Sequence, residues 1–314
     1  MKTKHLLLLM LCMWLCLACG KKRAGTAADW LKADDVHVAI DETFRPLMEA
    51  ELEVFAARHP EAALYPQYVS ENEAIRLLVS DSLRCCVATR KLSEKELRMV
   101  EANTLRARHT RIAYDAFALI INKENPDTAI TLDEIRGIVS GKITRWEQLS
   151  RSTRKGELSL VFDNEGSSTV RYMTDSLNGG QPLKGNVFAQ GSNEKVIELV
   201  KQDPDIIGVV GADWLKQKGD SALHSFRNLD FNVMLVSRFS GVQGMYFRPY
   251  QYYIATGEYP LVRDVYAITT DPRTKSQVKN FYFFLSGQVG QLVICNNSQM
   301  LPVMPVQVKS VANN

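Results

Sequence analysis

Apolar positions recur along the chain with two different periods. Val36, Val38 and Ile40 alternate with their neighbours, which predicts a strand, whereas Leu52 and Phe55 are spaced to share one face of a helix. A strand-like segment followed by a helix-like one recurs over most of the sequence. This order predicts an α/β fold with largely parallel sheets.

The rest of the pattern extends this prediction to two lobes. Further strands are predicted at 83–88, 112–122, 158–162, 206–210, 232–236 and 265–268. Helices are predicted to begin at the capping pairs Ser70 and Glu73, Ser93 and Glu96, and Thr131 and Glu134. No low-complexity linker separates these elements, so we expect a chain that crosses between two lobes more than once and leaves a cleft. We place lobe 1 at 30–112 plus 235–314 and lobe 2 at 113–234.

The first residues have the character of a secretion signal. A positively charged start precedes an apolar run at 6–18 that is short for a membrane span, and a small residue precedes Cys19. We therefore predict a signal peptide at 1–18, lipidation of Cys19 and a hydrophilic tether at 19–29, with an unlipidated signal peptide as the alternative. The mature protein is then expected in the periplasm or cell envelope, anchored to a membrane by its lipid.

Composition narrows the class of protein. The chain has 314 residues, of which 46% are hydrophobic and 23% charged, and its formal net charge is +3. This is the balance of a soluble globular protein, and it does not indicate a nucleic-acid partner. Beyond the signal region the cysteines are Cys85, Cys86 and Cys295, an odd number. Neither cysteine nor histidine has metal-ligand spacing, so we expect no metal and no cofactor, and we take a monomer as the default.

Four polar segments follow predicted strands or interrupt them. In open α/β sheets, ligands bind at the carboxyl ends of strands, where helix N-termini offer unpaired N–H groups to an anion. The candidate binding residues in these segments are Thr43, Phe44, Thr89, Arg90, Asp115, Ser167, Ser168 and Thr169. Taken singly, the hydroxyls also suit ordinary helix caps and the arginine suits a surface ion pair. Together they predict an oxyanion site.

Asp115 suggests which oxyanion this is. A carboxylate inside an apolar strand is costly unless it is paired or functional. Phosphate near neutral pH keeps a proton that it can donate to a carboxylate, whereas sulfate has none. One buried aspartate among hydroxyl donors therefore favours phosphate over sulfate.

Several longer segments resemble one family of binding proteins. They are 114–123, 132–146, 166–169, 207–211 and 259–266, and the most specific are Ser-Gly-Lys-Ile-Thr-Arg-Trp at 140–146 and Tyr-Pro-Leu-x-Arg at 259–263. Their order and sequence resemble the substrate-binding protein of the phosphate ABC transporter. The resemblance implies a two-lobed, type II-like periplasmic-binding-protein fold, in which each lobe is a mixed, mostly parallel sheet flanked by helices. It also implies a hinge, a metal-free phosphate site in the cleft and a membrane permease, or a sensor, as the partner.

The same resemblance assigns roles to the candidate residues. Thr43 and Phe44 match the first phosphate loop, Thr89 lies near the second, Asp115 matches the acceptor carboxylate, and Ser167, Ser168 and Thr169 match the Ser-Gly-Thr loop. The chain departs from the family at Ser168, where glycine is usual, at Asp163, where arginine is usual, and at 41–43, where the family loop is richer in glycine. Either Arg90 or Arg171 must then supply the positive charge, and we favour Arg90.

The expected function is capture of inorganic phosphate by lobe closure, without catalysis. Three alternatives stay open: binding of another oxyanion or a phosphorylated metabolite, hydrolysis of phosphoesters, and a surface scaffold that has lost its ligand. Hydrolysis is disfavoured because the scattered histidines form no metal site and no nucleophile–base pair can be assigned.

Overall fold

A computed structural model describes residues 35–215, 226, 229–242 and 245–304. The predicted signal peptide at 1–18, the lipidation site Cys19 and the tether at 19–29 lie outside these residues. Among the described helices, none is both long enough and apolar enough to cross a bilayer.

Strands and helices alternate as the sequence pattern predicts. The strands are β1 (Asp35–Asp41), β2 (Ala63–Val69), β3 (Cys85–Ala88), β4 (Arg108–Asn122), β5 (Ala129–Thr131), β6 (Ser159–Phe162), β7 (Val187–Ala189), β8 (Ile206–Gly211), β9 (Phe231–Val233), β10 (Leu235–Ser237), β11 (Val262–Thr269) and β12 (Leu301–Pro302). The helices are α1 (Arg45–Arg58), α2 (Glu71–Val79), α3 (Glu94–Ala102), α4 (Leu132–Val139), α5 (Ser168–Tyr172), α6 (Asn193–Gln202), α7 (Gln251–Ala255), α8 (Gln277–Ser286) and α9 (Gln288–Asn297).

The main sheet is organised around β4. Its strand order is β2-β1-β3-β11-β4-β8-β6-β7, with β12 and β9 also paired to β4, while β10 and β5 form a separate parallel pair. The outer strands pair in parallel on both sides, β1 with β2 and β3, and β6 with β7 and β8. The strands next to β4 are antiparallel to it. The sheet is therefore mixed, with its parallel strands at the two ends.

β4 belongs to both halves of this sheet. Its residues 108–116 pair with β11, and its residues 117–121 pair with β8. Separate apolar cores cover the two halves, one around Phe55 and Phe281 and one around Trp146 and Phe162. The strand is a 15-residue segment that changes sheet partner midway, at Ala116 and Phe117.

Local sequence explains most helix boundaries. Reciprocal capping boxes open α3 at Ser93 and Glu96 and α4 at Thr131 and Glu134, as predicted. The C-terminal helical segment is divided into α8 and α9, which meet at Gly287 in an extended conformation. Their turn is tight, because a Cβ atom at Gly290 would overlap the carbonyl oxygen of Phe284.

Candidate functional site

The predicted polar segments lie where β4 passes from one half of the sheet to the other. Asp41 ends β1 and is followed by a short 3-10 turn at 42–44, and Thr89 follows β3 directly. Asp115 lies on β4 immediately before the change of partner, and Ser167 caps α5, which follows β6. The structure buries every predicted binding residue except Arg90, which is partly exposed.

Arg263 lies at the centre of this region. It faces Asp115 across the antiparallel β11–β4 pair, and its Nε and Nη2 atoms lie 2.9 and 2.8 Å from Asp115 Oδ2. Its Nη1 atom donates to the Ser168 hydroxyl oxygen at 2.6 Å. Burial raises the pKa of Asp115, although the neighbouring guanidinium opposes the rise. Asp115 is therefore a partner of Arg263, and together they fix the guanidinium in one orientation.

Two aromatic rings pack against the same guanidinium. Its central carbon lies 5.1 Å from the ring centre of Phe44 and 4.0 Å from that of Phe117. Cations are attracted to such rings within about 6 Å, and more strongly when water is excluded. Phe44, predicted as a binding residue, is thus a packing partner of Arg263.

The loop after β1 adds two buried carboxyl groups. Asp41 Oδ1 accepts a hydrogen bond from the Thr43 amide at 3.1 Å, and Glu42 Oε2 accepts one from Asn193 at 2.8 Å. Burial raises the pKa of Asp41 to about 6, despite the opposing charge of Arg263. Burial also raises the pKa of Glu42 to about 7, against the hydrogen bond from Asn193. These groups therefore change charge close to neutral pH.

Asp163 contacts Thr43 and stands at the position where the resembled family has arginine. Its Oδ2 atom accepts a hydrogen bond of 3.4 Å from the Thr43 hydroxyl, and burial raises its pKa. The Thr169 hydroxyl and Glu42 Oε1 are buried and have no hydrogen-bond partner in the part of the chain that the structure describes. Despite these acids, no group of three or more potential ligands in the described chain is arranged to hold a metal ion.

A second guanidinium, that of Arg171, reaches across from α5 to α2. Its Nε atom donates to Glu71 Oε2 at 2.6 Å, and its Nη2 atom donates to the Thr89 hydroxyl oxygen at 2.6 Å. Glu71 Oε1 also accepts from the Thr89 amide at 2.7 Å and from the Thr89 hydroxyl at 2.6 Å. This arrangement joins Thr89, from one half of the sheet, to Arg171, from the other.

Arg90, which the sequence analysis favoured as the positive charge of the site, has a different partner. Its two terminal nitrogens donate to the two carboxylate oxygens of Glu96, each at 2.8 Å. Glu96 is the capping-box residue of α3, so Arg90 is held at that helix start. The arginines bonded to the other candidate residues are Arg171 and Arg263.

Neither Arg263 nor Glu71 is among the binding residues predicted from the sequence. A signal for Arg263 was present, because the residue shares a buried face of β11 with Val265 and Ala267 in a period-two pattern. An arginine at an inward position needs a buried partner. No comparable signal marks Glu71, since an acid in the first turn of a helix is common.

One family model and several known proteins match most of this chain. The family model described as PBP superfamily domain matches residues 25–288. The phosphate-binding protein PstS of Bacillus subtilis is 23% identical over 99% of this chain and 98% of its own length. The PstS of Borreliella burgdorferi is 24% identical over 67% of this chain and 70% of its own.

Two solved structures share the architecture. An ABC-type phosphate transport receptor from Vibrio cholerae superposes with a TM-score of 0.62 at 20% identity, covering 85% of this chain and 100% of the receptor. A phosphate binding protein from Stenotrophomonas maltophilia superposes with a TM-score of 0.63 at 14% identity, covering 86% of this chain and 91% of its own. These likenesses confirm the predicted two-lobed α/β fold.

Proposed function

Because the chain belongs to the PBP superfamily, we propose that it captures inorganic phosphate outside the cytoplasm for an ABC-type uptake system. In this proposal the protein binds without catalysis, delivers phosphate to a membrane permease and is tethered to the membrane by a lipid on Cys19. The phosphate-binding protein PstS of Bacillus subtilis, similar to this chain over nearly its whole length, supports it.

The observation that carries the proposal is the buried donor cluster at the β4 crossing. Ser168 and Thr169 bring two adjacent hydroxyls there, and Arg263 is bonded to the first of them. The Thr169 hydroxyl has no partner among the residues that the structure describes, and in this proposal it donates to the ligand. A tetrahedral oxyanion needs many donors within a small volume, and hydroxyls, amides and a fixed guanidinium supply them.

The proposed binding set keeps the residues predicted from the sequence, except that Arg90 is replaced. Thr43, Thr89, Ser167, Ser168 and Thr169 supply donors, Phe44 packs on Arg263, and Asp115 orients Arg263. Arg171 and Arg263, rather than Arg90, supply the guanidinium groups of the site.

We propose that the site closes between a lobe of 30–112 plus 235–314 and a lobe of 113–234. The boundary near 113 is supported by β4, whose partners change at Ala116 and Phe117. Part of the segment after 235 packs with the second lobe, because β10 pairs with β5 and Tyr259 lies in the core around Trp146 and Phe162. Closure would exclude water and complete the hydrogen bonds to the anion.

Isothermal titration of the phosphate-free protein with phosphate, and then sulfate, at neutral pH tests the function. We expect phosphate binding without sulfate binding. Thr169→Val keeps the shape and removes one donor to a charged ligand, a loss of about 1.5–3 kcal/mol, or roughly tenfold to a hundredfold in affinity. Thr174→Val, five residues further along the chain and partly exposed, is the matched control and should bind like wild type.

A second candidate function is binding of another oxyanion or a phosphorylated metabolite. The observation that favours it is the buried Asp163, which puts a carboxyl group where the resembled family has arginine. Titration with phosphate esters alongside phosphate separates the two functions. Absence of binding to all of them would leave the scaffold alternative.

A further inference from the structure

The carboxylate of Glu71 is held in the way a bound oxyanion would be held. The residue is fully buried, and donors of three chemical kinds point at its two oxygens. They are the Thr89 amide at 2.7 Å, the Thr89 hydroxyl at 2.6 Å and the Arg171 guanidinium, whose Nε and Nη2 atoms lie at 2.6 and 3.4 Å. An amide, a hydroxyl and a forked guanidinium form a typical anion-binding set.

Helix capping does not explain this arrangement. Glu71 is the first residue of α2, and acids are common in first turns because of the helix dipole. The side chain that bonds the helix backbone, however, is Ser70, which accepts from the Glu73 amide at 3.3 Å. The oxygens of Glu71 are instead bonded by Thr89, 18 residues away, and by Arg171, 100 residues away.

These bonds also bridge the two halves of the sheet. Thr89 follows β3 in one half, and Arg171 lies in α5 of the other. The two residues bond each other as well, from Arg171 Nη2 to the Thr89 hydroxyl oxygen at 2.6 Å. Glu71 thus occupies the place between Thr89 and Arg171 where a ligand oxygen would complete a closed cleft.

We propose that Glu71 is an internal competitor of the ligand, an anion built into the chain that takes up the donors of Thr89 and Arg171 and so weakens phosphate binding. The proposal rests on the function proposed above. A tethered carboxylate competes at a high effective concentration, whereas free phosphate competes at its solution concentration. Phosphate binding then requires Glu71 to give up its partners.

The charge of Glu71 makes the competition effective at neutral pH. Burial alone would raise its pKa, but the hydrogen bonds and charge of Arg171 and the bonds from Thr89 outweigh burial and leave the pKa below its usual range. The carboxylate therefore stays ionised and adds a negative charge near the buried carboxyl of Asp41. Removing it should free both donors and lower the repulsion that an incoming anion meets.

The test is calorimetric titration of the full chain with inorganic phosphate at neutral pH. Glu71→Gln keeps the size and removes the charge, and Glu71→Ala removes the competing group entirely. We expect phosphate affinity to rise about tenfold or more in Glu71→Ala and less in Glu71→Gln. Glu73→Gln, on the exposed side of the same helix and paired with Arg76, is the matched control and should bind like wild type.

A second substitution distinguishes competition from a general structural effect. Adding Arg171→Gln to Glu71→Ala should abolish the gained affinity, because the freed guanidinium is its source. Thermal unfolding of each variant shows whether the fold is kept.

The possible results separate failure of the Glu71 inference from failure of the proposed function. Unchanged or weaker affinity in both Glu71 variants, with phosphate bound by the wild type, overturns the inference and leaves the proposed function standing. If both variants fail to fold, Glu71 belongs to a structural ion pair and the inference is also overturned. If no protein in the series binds phosphate, the proposed function fails and the inference fails with it.

Discussion

Glu51 is a buried acid with no role in the site, and it gives the sharpest stability prediction. It lies in α1, and both of its carboxylate oxygens are buried without a hydrogen-bond partner among the described residues. Its neighbours along the buried face of the helix are Leu47, Met48, Leu52 and Phe55. Burial, with no charge to offset it, raises the pKa of Glu51 to about 9.

This pKa links stability to pH with a definite sign. In the unfolded chain a glutamate loses its proton near pH 4.3, whereas the folded protein holds this proton to about pH 9. The stability associated with the raised pKa is complete below the unfolded value and is lost as pH rises toward the folded one. Over that interval the loss is about 1.4 kcal/mol per pH unit, or about 2.5 kcal/mol between pH 5 and pH 7.

Glu51→Gln isolates the effect. Glutamine resembles the protonated acid in size and charge but does not titrate, so its stability relative to wild type should rise by about 2.5 kcal/mol from pH 5 to pH 7. Urea unfolding at the two pH values in phosphate-free buffer measures this difference. Glu53→Gln changes an exposed residue of the same helix and should show no such rise.

Parallel pH profiles of wild type and Glu51→Gln would refute the reasoning, because they would mean that Glu51 ionises freely in the folded protein. Glu51→Leu provides a further check. It removes the buried polar group altogether, so it should be at least as stable as Glu51→Gln at pH 7 if the leucine packs without strain.

Two further predictions concern the site. Phosphate affinity should fall by about tenfold between pH 5.5 and pH 8, because Asp41 and Glu42 gain negative charge in that range. Burial raises their pKa values to about 6 and about 7. Calorimetry of wild type and Glu42→Gln should show a steeper fall of affinity for the wild type. Gly211→Ala should weaken phosphate binding, since its Cβ would lie 2.7 Å from the Thr43 methyl. Gly208→Ala is the control: its Cβ would crowd Val200 and Val196 in the core, so it should lower the unfolding temperature and leave phosphate affinity unchanged.

The elements that could be predicted from sequence are those with a clear period or a cap. β1 and β11 alternate cleanly, and two of the three predicted capping boxes are reciprocal. β2 was missed because it pairs on one side only, with β1, and shows no buried period to detect. β4 begins at Arg108, four residues before the apolar run, because its first residues are polar and half-exposed yet still pair with β11.

The position of the site could be predicted from the sequence, but only some of the bonds between its side chains could be. Strand ends collect ligand-binding segments, and the structure does bring Thr43, Thr89 and Ser168 to one region. Pairing depends on register between distant strands, however, and sequence spacing does not give it. Arg263 meets Asp115 only because β11 runs antiparallel to β4 in this register. Arg90 meets Glu96 because this capping-box residue of α3 lies only six residues further along the chain.

The charges of the site constrain its ligand more than Asp115 alone does. Arg263 is neutralised by Asp115 and Arg171 by Glu71, so neither guanidinium is left with a free charge for an incoming anion. Three more buried carboxyl groups, those of Asp41, Glu42 and Asp163, remain nearby. A fully ionised anion such as sulfate would meet net repulsion there, whereas an anion that brings its own protons can donate hydrogen bonds to these acceptors. Selection of phosphate over sulfate would then come from the whole acidic set, and Asp115→Asn should weaken phosphate binding through misplacement of Arg263 without by itself admitting sulfate.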